Sequence, residues 1–513
     1  MTSPVILQGK GLTPDEVLAV ARDDARVEVA PAAFENLQRA RDLVEQLAEG
    51  DEPVYGISTG FGALSLTHVA PERRRELQHS LVRSHAAGMG PPIEREVVRA
   101  MLLLRARSLA MGYSGVRPVV VQAIADLLNA GITPVVPEYG SLGASGDLAP
   151  LAHASLALLG EGEVTTGQDD HPTSASTALH AANLAPLALE AKEGLALING
   201  TDGMLGMLLL ACHDAERLLL TADVATAMSV EALLGTDRVF AAALHDLRPH
   251  PGQLASAANL VRLLAGSEII ASHRYHDARV QDAYSMRCAP QVLGAARDTL
   301  HFARTIAARE LESAIDNPVV MPDGRVESNG NFHGAPLGYA CDFLAIALTD
   351  TASVAERRID RLLDATRSAG LPAFLAADPG VNSGLMIAQY TAAALLAECR
   401  QLAYPASVDS VPTSGMQEDH VSMGWTAARK LRRVIANSAR VIAIELLCAA
   451  VGLDERAPLR PAPGTAAAHH VLRGRIAAQG IDRVVAPDLA AAEDLVTSGA
   501  ILAGVATAIG PLT

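Results

Sequence analysis

The chain has 513 residues, of which 50% are hydrophobic, so it can bury a large core and form one extended architecture or several domains. Its 57 acidic side chains outnumber its 41 lysines and arginines, which gives a formal charge of −16. This negative charge argues against a nucleic acid or an anionic membrane as the main partner.

Cysteine spacing and the N-terminal residues bear on the cellular compartment. No pair of cysteines shows the CxxC spacing, so we expect neither a disulfide framework nor a zinc site at Cys212, Cys288, Cys341, Cys399 and Cys448. The N-terminal residues lack a basic segment followed by an apolar one, and apolar runs such as residues 203–212 are expected to be too short to cross a bilayer. These features predict a cytoplasmic protein.

Alanine and leucine dominate the chain and aromatic residues make up 3% of it, which favours an all-α fold. Thr13 and Glu16 form a predicted capping box, with Pro14 at the first helical position. Arginines 73–75 are expected on a solvated helix face, and the acidic residues 160–174 in a surface excursion. Apolar periodicity predicts a close-packed bundle of long helices at residues 336–364, 384–402 and 424–451.

The connections between the helices do not have the composition of ordinary linkers. Glycine is mixed with amides, tyrosines and charged residues in segments 55–64, 197–203, 280–291, 316–319, 327–336 and 414–424. Loops on a rigid frame frequently carry function, so we expect functional residues there.

Residues 140–150, GSLGASGDLAP, place small residues directly before an acid and an apolar helix. A phosphate-binding loop would end in GK[ST], and a nucleophile elbow would need glycine where Asp147 stands. A plain turn, with Asp147 as N-cap and Pro150 in the first helical turn, explains the helix start. It leaves the Ala-Ser-Gly triplet unexplained.

A covalent interpretation accounts for the triplet. Glycine permits a backbone bend tight enough for the Gly146 nitrogen to attack the Ala144 carbonyl carbon. Loss of water closes a five-membered ring, and dehydration of Ser145 adds an exocyclic methylidene. The product is a strong electrophile in a chain whose side chains are otherwise nucleophiles.

Residues 140–153 resemble the signature of the aromatic amino acid ammonia-lyases, which form the 4-methylidene-imidazol-5-one (MIO) cofactor from an Ala-Ser-Gly triplet. Other segments resemble this family in the family's order, from about Tyr55 to Trp425: YGISTGFG, SHAAG, LINGT, QDAYSMRC, DNP, GNFHG, NSGLMIAQ and QEDHVSMG. One departure is Ser58, where many relatives carry asparagine. The resemblance implies MIO formed autocatalytically from Ala144, Ser145 and Gly146, with no metal or diffusible cofactor.

Two of these motifs, around His85 and Glu418, resemble the family members that act on histidine. The resemblance therefore implies conversion of L-histidine to trans-urocanate and ammonia. His85 is expected to contact the substrate imidazole, and Glu418 to accept the imidazole N–H or to act as a rival base. A buried carboxylate facing a benzene ring would lack a partner, which favours histidine over phenylalanine.

The resemblance also suggests the residues that handle protons and the substrate carboxylate. Tyr55 is the candidate base, although a tyrosine with a pKa of about 10 needs a positive local field to lose its proton. Tyr284 is expected to stabilise the cofactor or share the proton transfer. Arg287 lies one helical turn further on and suits a bidentate clamp on the carboxylate. Packing for the tyrosines and a surface ion pair for Arg287 are the alternatives.

Other polar and aromatic residues receive supporting roles. Asn199 and Gln281 are suited to hold the ring oxygen or the amino group, and Phe332 to shape the pocket wall, with simple packing as the alternative. His333 either contacts the site or orients its loop. The spacing of His273 and His276 is a weak metal signal without a third ligand.

The resemblance implies an ammonia-lyase/fumarase-like architecture. Residues 1–200 form an N-terminal domain with the MIO loop, and residues 201–513 form the central helical bundle and C-terminal helices. It also implies a homotetramer with active sites shared between subunits, so that a monomer is inactive. Two alternatives stay open: the same chemistry on phenylalanine or tyrosine, as a lyase or an aminomutase, and a non-catalytic helical scaffold.

Overall fold

The computed structural model describes residues 4–49, 54, 56, 59–60, 62, 69–167, 169–275, 277 and 279–513. Helices form most of this structure, which confirms the all-α prediction. In chain order they are α1 (Pro14–Arg22), α2 (Pro31–Glu49), α3 (Arg74–His85), α4 (Arg95–Ala110), α5 (Pro118–Asn129), α6 (Leu148–Leu158), α7 (Ala175–Ala181), α8 (Glu193–Ile198), α9 (Asp202–Ala232), α10 (Ala242–His245), α11 (Pro251–Leu264), α12 (Glu268–His273), α13 (Tyr284–Arg287), α14 (Ala289–Leu311), α15 (Ala335–Leu363), α16 (Met386–Leu402), α17 (Gly424–Asp454), α18 (Pro463–Arg473), α19 (Ala486–Thr497) and α20 (Ala500–Ile509).

Short strands form small separate sheets. They are β1 (Val5–Leu7), β2 (Val27–Val29), β3 (Met89–Pro92), β4 (Ile132–Pro134), β5 (Pro137–Tyr139), β6 (Glu163–Thr166), β7 (Asp169–Ser174), β8 (Val319–Val320) and β9 (Val326–Glu327). β1 pairs in parallel with β2, with Val5 opposite Val27, whereas β3–β5, β4–β6–β7 and β8–β9 are antiparallel. The predicted surface excursion at residues 160–174 contains β6 and β7, and only Val164 of β6 is buried.

The predicted helix boundaries are close to the observed ones. Thr13 caps α1, because its hydroxyl accepts from the Glu16 backbone N–H while the Thr13 N–H donates to the Glu16 carboxylate at 2.8 Å. The three long segments predicted from periodicity are α15, α16 and α17. Periodicity missed α9, whose first ten residues are buried on every side and so show no amphipathic pattern.

The expectation of a solvated face at arginines 73–75 was wrong for one of them. Arg73 and Arg75 are exposed, but Arg74 is buried and donates to the carbonyls of Ala48 and Val69. Arg74 is the first residue of α3, and successive residues of a helix point to different faces. A run of like charges therefore does not stay on one face.

The expectation that the apolar runs are too short to cross a bilayer was also wrong. Within the described residues, three helical stretches are long and apolar enough by length and composition: Glu193–Ala232, Ala335–Leu363 and Gly424–Asp454. The bent pair α19 and α20 would make a fourth. In the most apolar part of the three stretches, 100%, 61% and 89% of the residues are buried inside the protein, so these segments form core.

The chain divides into two compact units. The first comprises Met1–Leu210, Arg304–Cys341 and Pro405–Arg429, and it contains all the strands named above. The second comprises Ala211–Ala303, Asp342–Tyr404 and Lys430–Thr513. The division into domains at residue 200 stays a prediction.

Candidate active site

The Ala-Ser-Gly triplet lies in the first unit, in a loop that leaves no room for larger residues. Gly146 has φ +72°, and a Cβ atom there would lie 2.2 Å from the Gly200 carbonyl oxygen. A Cβ atom on Gly143 would lie 2.2 Å from the Ser422 hydroxyl. Glycine is therefore required by backbone conformation and by space at both positions.

Three later segments hold this loop in place. The Gly143 carbonyl accepts from the Ser422 hydroxyl at 2.8 Å and from the Gly334 N–H at 3.1 Å. The Asp147 N–H donates to the Gly200 carbonyl at 2.7 Å. The fold thus brings the LINGT, GNFHG and QEDHVSMG motifs against the triplet.

Asp147 occupies the N-cap position of α6, but the prediction that it caps this helix was wrong. Its side chain makes no capping bond to α6. One carboxylate oxygen accepts from the N–H groups of Gly203 and Met204, both at 2.9 Å, and the other accepts from the Ser141 hydroxyl at 3.1 Å. Asp147 therefore caps the first turn of α9, because the tight loop turns its carboxylate in that direction. Burial raises the pKa of Asp147 to about 7, although these hydrogen bonds oppose the shift.

Ser145 is the first member of a buried hydrogen-bond network. Its hydroxyl donates to Asn199 Oδ1 at 2.9 Å. Asn199 Nδ2 donates to Asp316 Oδ1 at 3.2 Å and to the Asn317 carbonyl at 2.9 Å, and Lys192 Nζ donates to Asp316 Oδ2 at 2.7 Å. Burial lowers the pKa of Lys192, and the Asp316 carboxylate opposes this shift. Asp316 lies in one of the segments that stand out by composition, whereas no sequence signal marks Lys192.

Ser145 also borders a cavity of about 330 Å³ in the first unit. Four predicted site residues line it: Ala144, Ser145, Phe332 and Glu418. Other residues that line it and were not assigned to the site are Gly62, Asn317, Ser328, His333, Gln417, Asp419 and His420. Most of these additional residues lie within two positions of a predicted site residue, so the same sequence motifs indicated them.

Two histidines and a carboxylate give this cavity its polar character. The rings of His333 and His420 stack with centroids 5.5 Å apart and an interplanar angle of 7°. Glu418 Oε2 and His333 Nε2 are buried and have no hydrogen-bond partner among the described residues. A buried carboxylate oxygen without a donor is an acceptor available to a ligand.

His85 lies at the end of α3, outside the cavity wall that the described residues form. Its Nδ1 is 2.9 Å from the Leu81 carbonyl, so this nitrogen carries the proton and Nε2 is the acceptor when the ring is neutral. Burial lowers the pKa of His85, while the Leu81 carbonyl and the negative charge of Glu418 raise it. The charge of Glu418 therefore acts on the His85 ring, while the predicted contact of each with a substrate imidazole stays a prediction.

Three other predicted residues, Gln281, Tyr284 and Arg287, belong to the second unit. Tyr284 and Arg287 lie on the single turn of α13, and the Arg287 guanidinium carbon is 4.6 Å from the centre of the Tyr284 ring. Tyr284 is 71% exposed and Gln281 is also exposed. The backbone of this turn is anchored by Arg358, which donates to the Ser285 carbonyl at 3.0 Å.

Several predictions fall on other parts of the chain. Tyr55 and His276 lie outside the described residues, as does Ser58. Gly56, which follows Tyr55, has φ +75°, and a Cβ atom there would lie 2.9 Å from the Leu195 side chain.

The ring nitrogens of His273 lie within hydrogen-bond distance of the carbonyls of Ile269 and Gly235, and the described residues contain no cluster suited to a metal. The five cysteines are free thiols.

An all-α frame holds a glycine-restricted Ala-Ser-Gly loop beside a polar cavity, as expected for the class of helical lyases that the sequence motifs resemble. The sequence profile of that class, described as aromatic amino acid lyase, matches residues 12–474. The chain belongs to this family.

Named relatives cover nearly the whole chain. A histidine ammonia-lyase of Streptomyces avermitilis is 58% identical over 509 residues, which span 99% of each chain. Among solved structures, tyrosine aminomutase from Streptomyces globisporus has a TM-score of 0.94 at 39% identity and covers 100% of both chains. Histidine ammonia-lyase from Trypanosoma cruzi has a TM-score of 0.91 at 40% identity, covering 99% of this chain and 96% of its own. The fold is therefore common to lyases and aminomutases.

Proposed function

We propose that the chain is a histidine ammonia-lyase, which removes ammonia from L-histidine without oxidation and releases trans-urocanate. The observation that carries this proposal is the cavity where Ser145 of the restricted loop meets the unpaired carboxylate oxygen of Glu418. An imidazole N–H supplies the donor that this oxygen lacks, whereas a benzene ring does not. The identity to relatives of this name, 58% over almost the full length, supports the same substrate.

We propose that MIO forms autocatalytically from Ala144, Ser145 and Gly146. The Gly146 nitrogen bonds to the Ala144 carbonyl carbon and one water leaves; the Cα hydrogen and the hydroxyl of Ser145 leave as a second water. The residues fit this group, because Gly146 has the positive φ and the lack of a Cβ atom that a tight bend needs. When formed, MIO supplies the electron pull that a weakly acidic β-hydrogen requires.

The remaining roles follow from the chemistry of each side chain. We propose that Glu418 accepts the imidazole N–H while His85 contacts the ring, and that Phe332 forms part of the wall. Proton removal falls to Tyr55, with Glu418 as the rival base. Four residues outside the cavity wall have supporting roles. Asn199 and Gln281 hold the ring oxygen or the amino group, and Tyr284 stabilises the cofactor or shares the proton transfer. Arg287 clamps the substrate carboxylate through two hydrogen bonds.

We further propose a cytoplasmic homotetramer with shared active sites. The second unit exposes large apolar side chains on its long helices, including Phe302, Phe343, Ile387 and Tyr390. The rings of Phe302 and Phe343 lie 5.9 Å apart, so they form a continuous apolar surface. Exposed apolar patches of this kind are typical of surfaces that another subunit covers. The four buried thiols suit a reducing compartment.

The test is to incubate the purified protein with L-histidine, L-phenylalanine and L-tyrosine while recording ultraviolet spectra and ammonia. We expect urocanate and ammonia in equal amounts from histidine alone. Cinnamate or coumarate would instead indicate a lyase for the other substrates, and a β-amino acid without free ammonia would indicate an aminomutase. An unaltered peptide mass at residues 144–146 with no turnover would favour a non-catalytic scaffold.

A further inference from the structure

A buried ion pair lies behind Ser145 and has no part in the roles given above. Lys192 and Asp316 expose 0% and 1% of their surfaces. Burying two charges is costly, and such a pair is frequently no more stable than apolar side chains of the same volume. Stability alone therefore does not explain why this pair lies behind a reacting serine.

The pair is linked to Ser145 through α8. Lys192 is the N-cap residue of this six-residue helix and Asn199 is its C-cap residue, so the two side chains that contact Asp316 leave opposite ends of one element. The Gln78 side-chain oxygen holds α8 by accepting from the backbone N–H groups of Gly194 and Leu195 at 2.9 and 3.3 Å. Lys192 has φ +71°, a conformation that is strained for a residue other than glycine.

The hydrogen bonds fix which way the Asn199 amide points. An amide has two orientations of nearly the same shape, one presenting oxygen and the other presenting nitrogen. Asn199 Nδ2 donates to Asp316 Oδ1 and to the Asn317 carbonyl, and neither of these atoms is able to donate in return. Asn199 Oδ1 must then face Ser145 and accept its hydroxyl hydrogen. Lys192 balances the charge of the carboxylate that imposes this choice.

We propose that Lys192 and Asp316 are positioning residues for the cyclisation of residues 144–146. They hold the Asn199 amide in one orientation, and Asn199 in turn holds the Ser145 hydroxyl in one rotamer while the Gly146 nitrogen approaches the Ala144 carbonyl carbon. This inference rests on the cofactor proposed above. It adds two residues that touch neither the substrate nor the ring atoms.

The test measures how fast newly made protein loses two waters from the peptide containing residues 144–146, by mass spectrometry. Asp316→Asn replaces the carboxylate by an amide that both donates and accepts, so the Asn317 carbonyl alone is left to fix the orientation of the Asn199 amide. The double variant Lys192→Met/Asp316→Asn also lacks the carboxylate that orients Asn199. It leaves no unpaired buried charge, so we expect it to fold. We expect cyclisation to slow at least about tenfold in both, equivalent to about 1.4 kcal/mol. Lys192→Arg keeps the charge and is expected to cyclise like the wild type.

A matched control is Asp223→Asn in the second unit, where a fully buried carboxylate pairs with Arg297 at 2.6 Å. It is expected to lower the melting temperature and leave cyclisation unchanged. A folded double variant that cyclises at the wild-type rate would overturn the inference, as would equal slowing in the control, and MIO itself would stand in both cases. A wild-type protein that deaminates histidine with both waters retained would overturn the proposed cofactor and this inference together.

Discussion

The surroundings of Ser145 in the first unit differ sharply from those of Tyr284 in the second. Behind Ser145 the polar groups of Asn199, Asp316 and Lys192 are buried and bonded to one another. On α13, the Tyr284 side chain is 71% exposed, whereas the Arg287 Nε atom is buried and has no hydrogen-bond partner among the described residues. The polar groups behind Ser145 are therefore paired with one another, whereas on α13 the Tyr284 side chain is exposed and the buried Arg287 Nε is unpaired.

The anchoring of the exposed turn sharpens this difference. Arg358 and Glu445 form an ion pair at 2.5 and 2.8 Å with both side chains fully buried, and Arg358 also donates to the Ser285 carbonyl. The backbone of the turn is therefore anchored to a buried ion pair, while the Tyr284 side chain stays exposed. Under the proposed function, the cofactor loop has its hydrogen-bond partners within one chain, and the proposed subunit assembly covers the exposed Tyr284.

The largest expected effect comes from the buried region. Ser145→Ala removes the hydroxyl that dehydration needs, so we expect kcat for L-histidine to fall more than about 10³-fold. The peptide containing residue 145 is expected to lose no second water in the mass spectrum. The control is Ser155→Ala in α6, whose buried hydroxyl donates only to the Leu151 carbonyl at 2.7 Å. Turnover by Ser145→Ala equal to that of the control would contradict the proposed cofactor.

The second prediction concerns how the burial of Asp147 couples stability to pH. Its pKa of about 7 in the folded protein lies above the ordinary value of 3.8, so the folded state binds a proton that the unfolded state has lost. The stability from this group is complete below about pH 4 and falls by up to about 4 kcal/mol as the pH rises through 7. Asp147→Asn keeps the shape and removes this dependence, which urea unfolding at about pH 5 and 8 measures.

The control for Asp147 is an exposed carboxylate with the opposite shift. Hydrogen bonds from Thr366 and Arg367 lower the pKa of Asp364 to about 2, so its contribution is lost only in stronger acid. Asp364→Asn should leave the change between about pH 5 and 8 as it is in the wild type. Equal pH dependence in the wild type and in Asp147→Asn would show that the carboxylate at 147 stays ionised.

The third prediction addresses the exposed region. Arg287→Lys keeps the positive charge and loses the planar fork that binds a carboxylate through two hydrogen bonds. We expect KM for L-histidine to rise about 10- to 100-fold with a smaller change in kcat. Arg274→Lys, in a partly exposed ion pair with Asp237, is the matched control and should leave KM unchanged. A fall in kcat that is larger than the rise in KM would assign Arg287 to the chemical step instead.

The same contrast explains which features sequence analysis was able to find. Helices such as α15 and α17 follow local periodicity, and the motifs around Ser145, Phe332 and Glu418 are themselves local patterns. The contact between Lys192 and Asp316 joins residues 124 positions apart. Nothing in the neighbourhood of either residue encodes it, because an ion pair of this kind is a product of tertiary packing.

The misjudged partner of Asp147 has the same origin. An acid before an apolar helix is a local N-cap signal, and it correctly located the start of α6. The carboxylate instead bonds to the first turn of α9, more than fifty residues further along the chain. Local rules identify where an element begins, and the geometry of the completed fold decides which helix end receives the side chain.

The smallest expected effect is a shift in the acid limb of the pH profile for kcat/KM. Burial lowers the pKa of His85 below its ordinary value of 6.5, and Glu418 partly opposes this shift. Glu418→Gln removes the opposing negative charge, so the pKa of His85 should fall further and the acid limb should move to lower pH. His85→Gln should lack this limb. A limb that stays in place in Glu418→Gln and persists in His85→Gln would show that His85 does not set it.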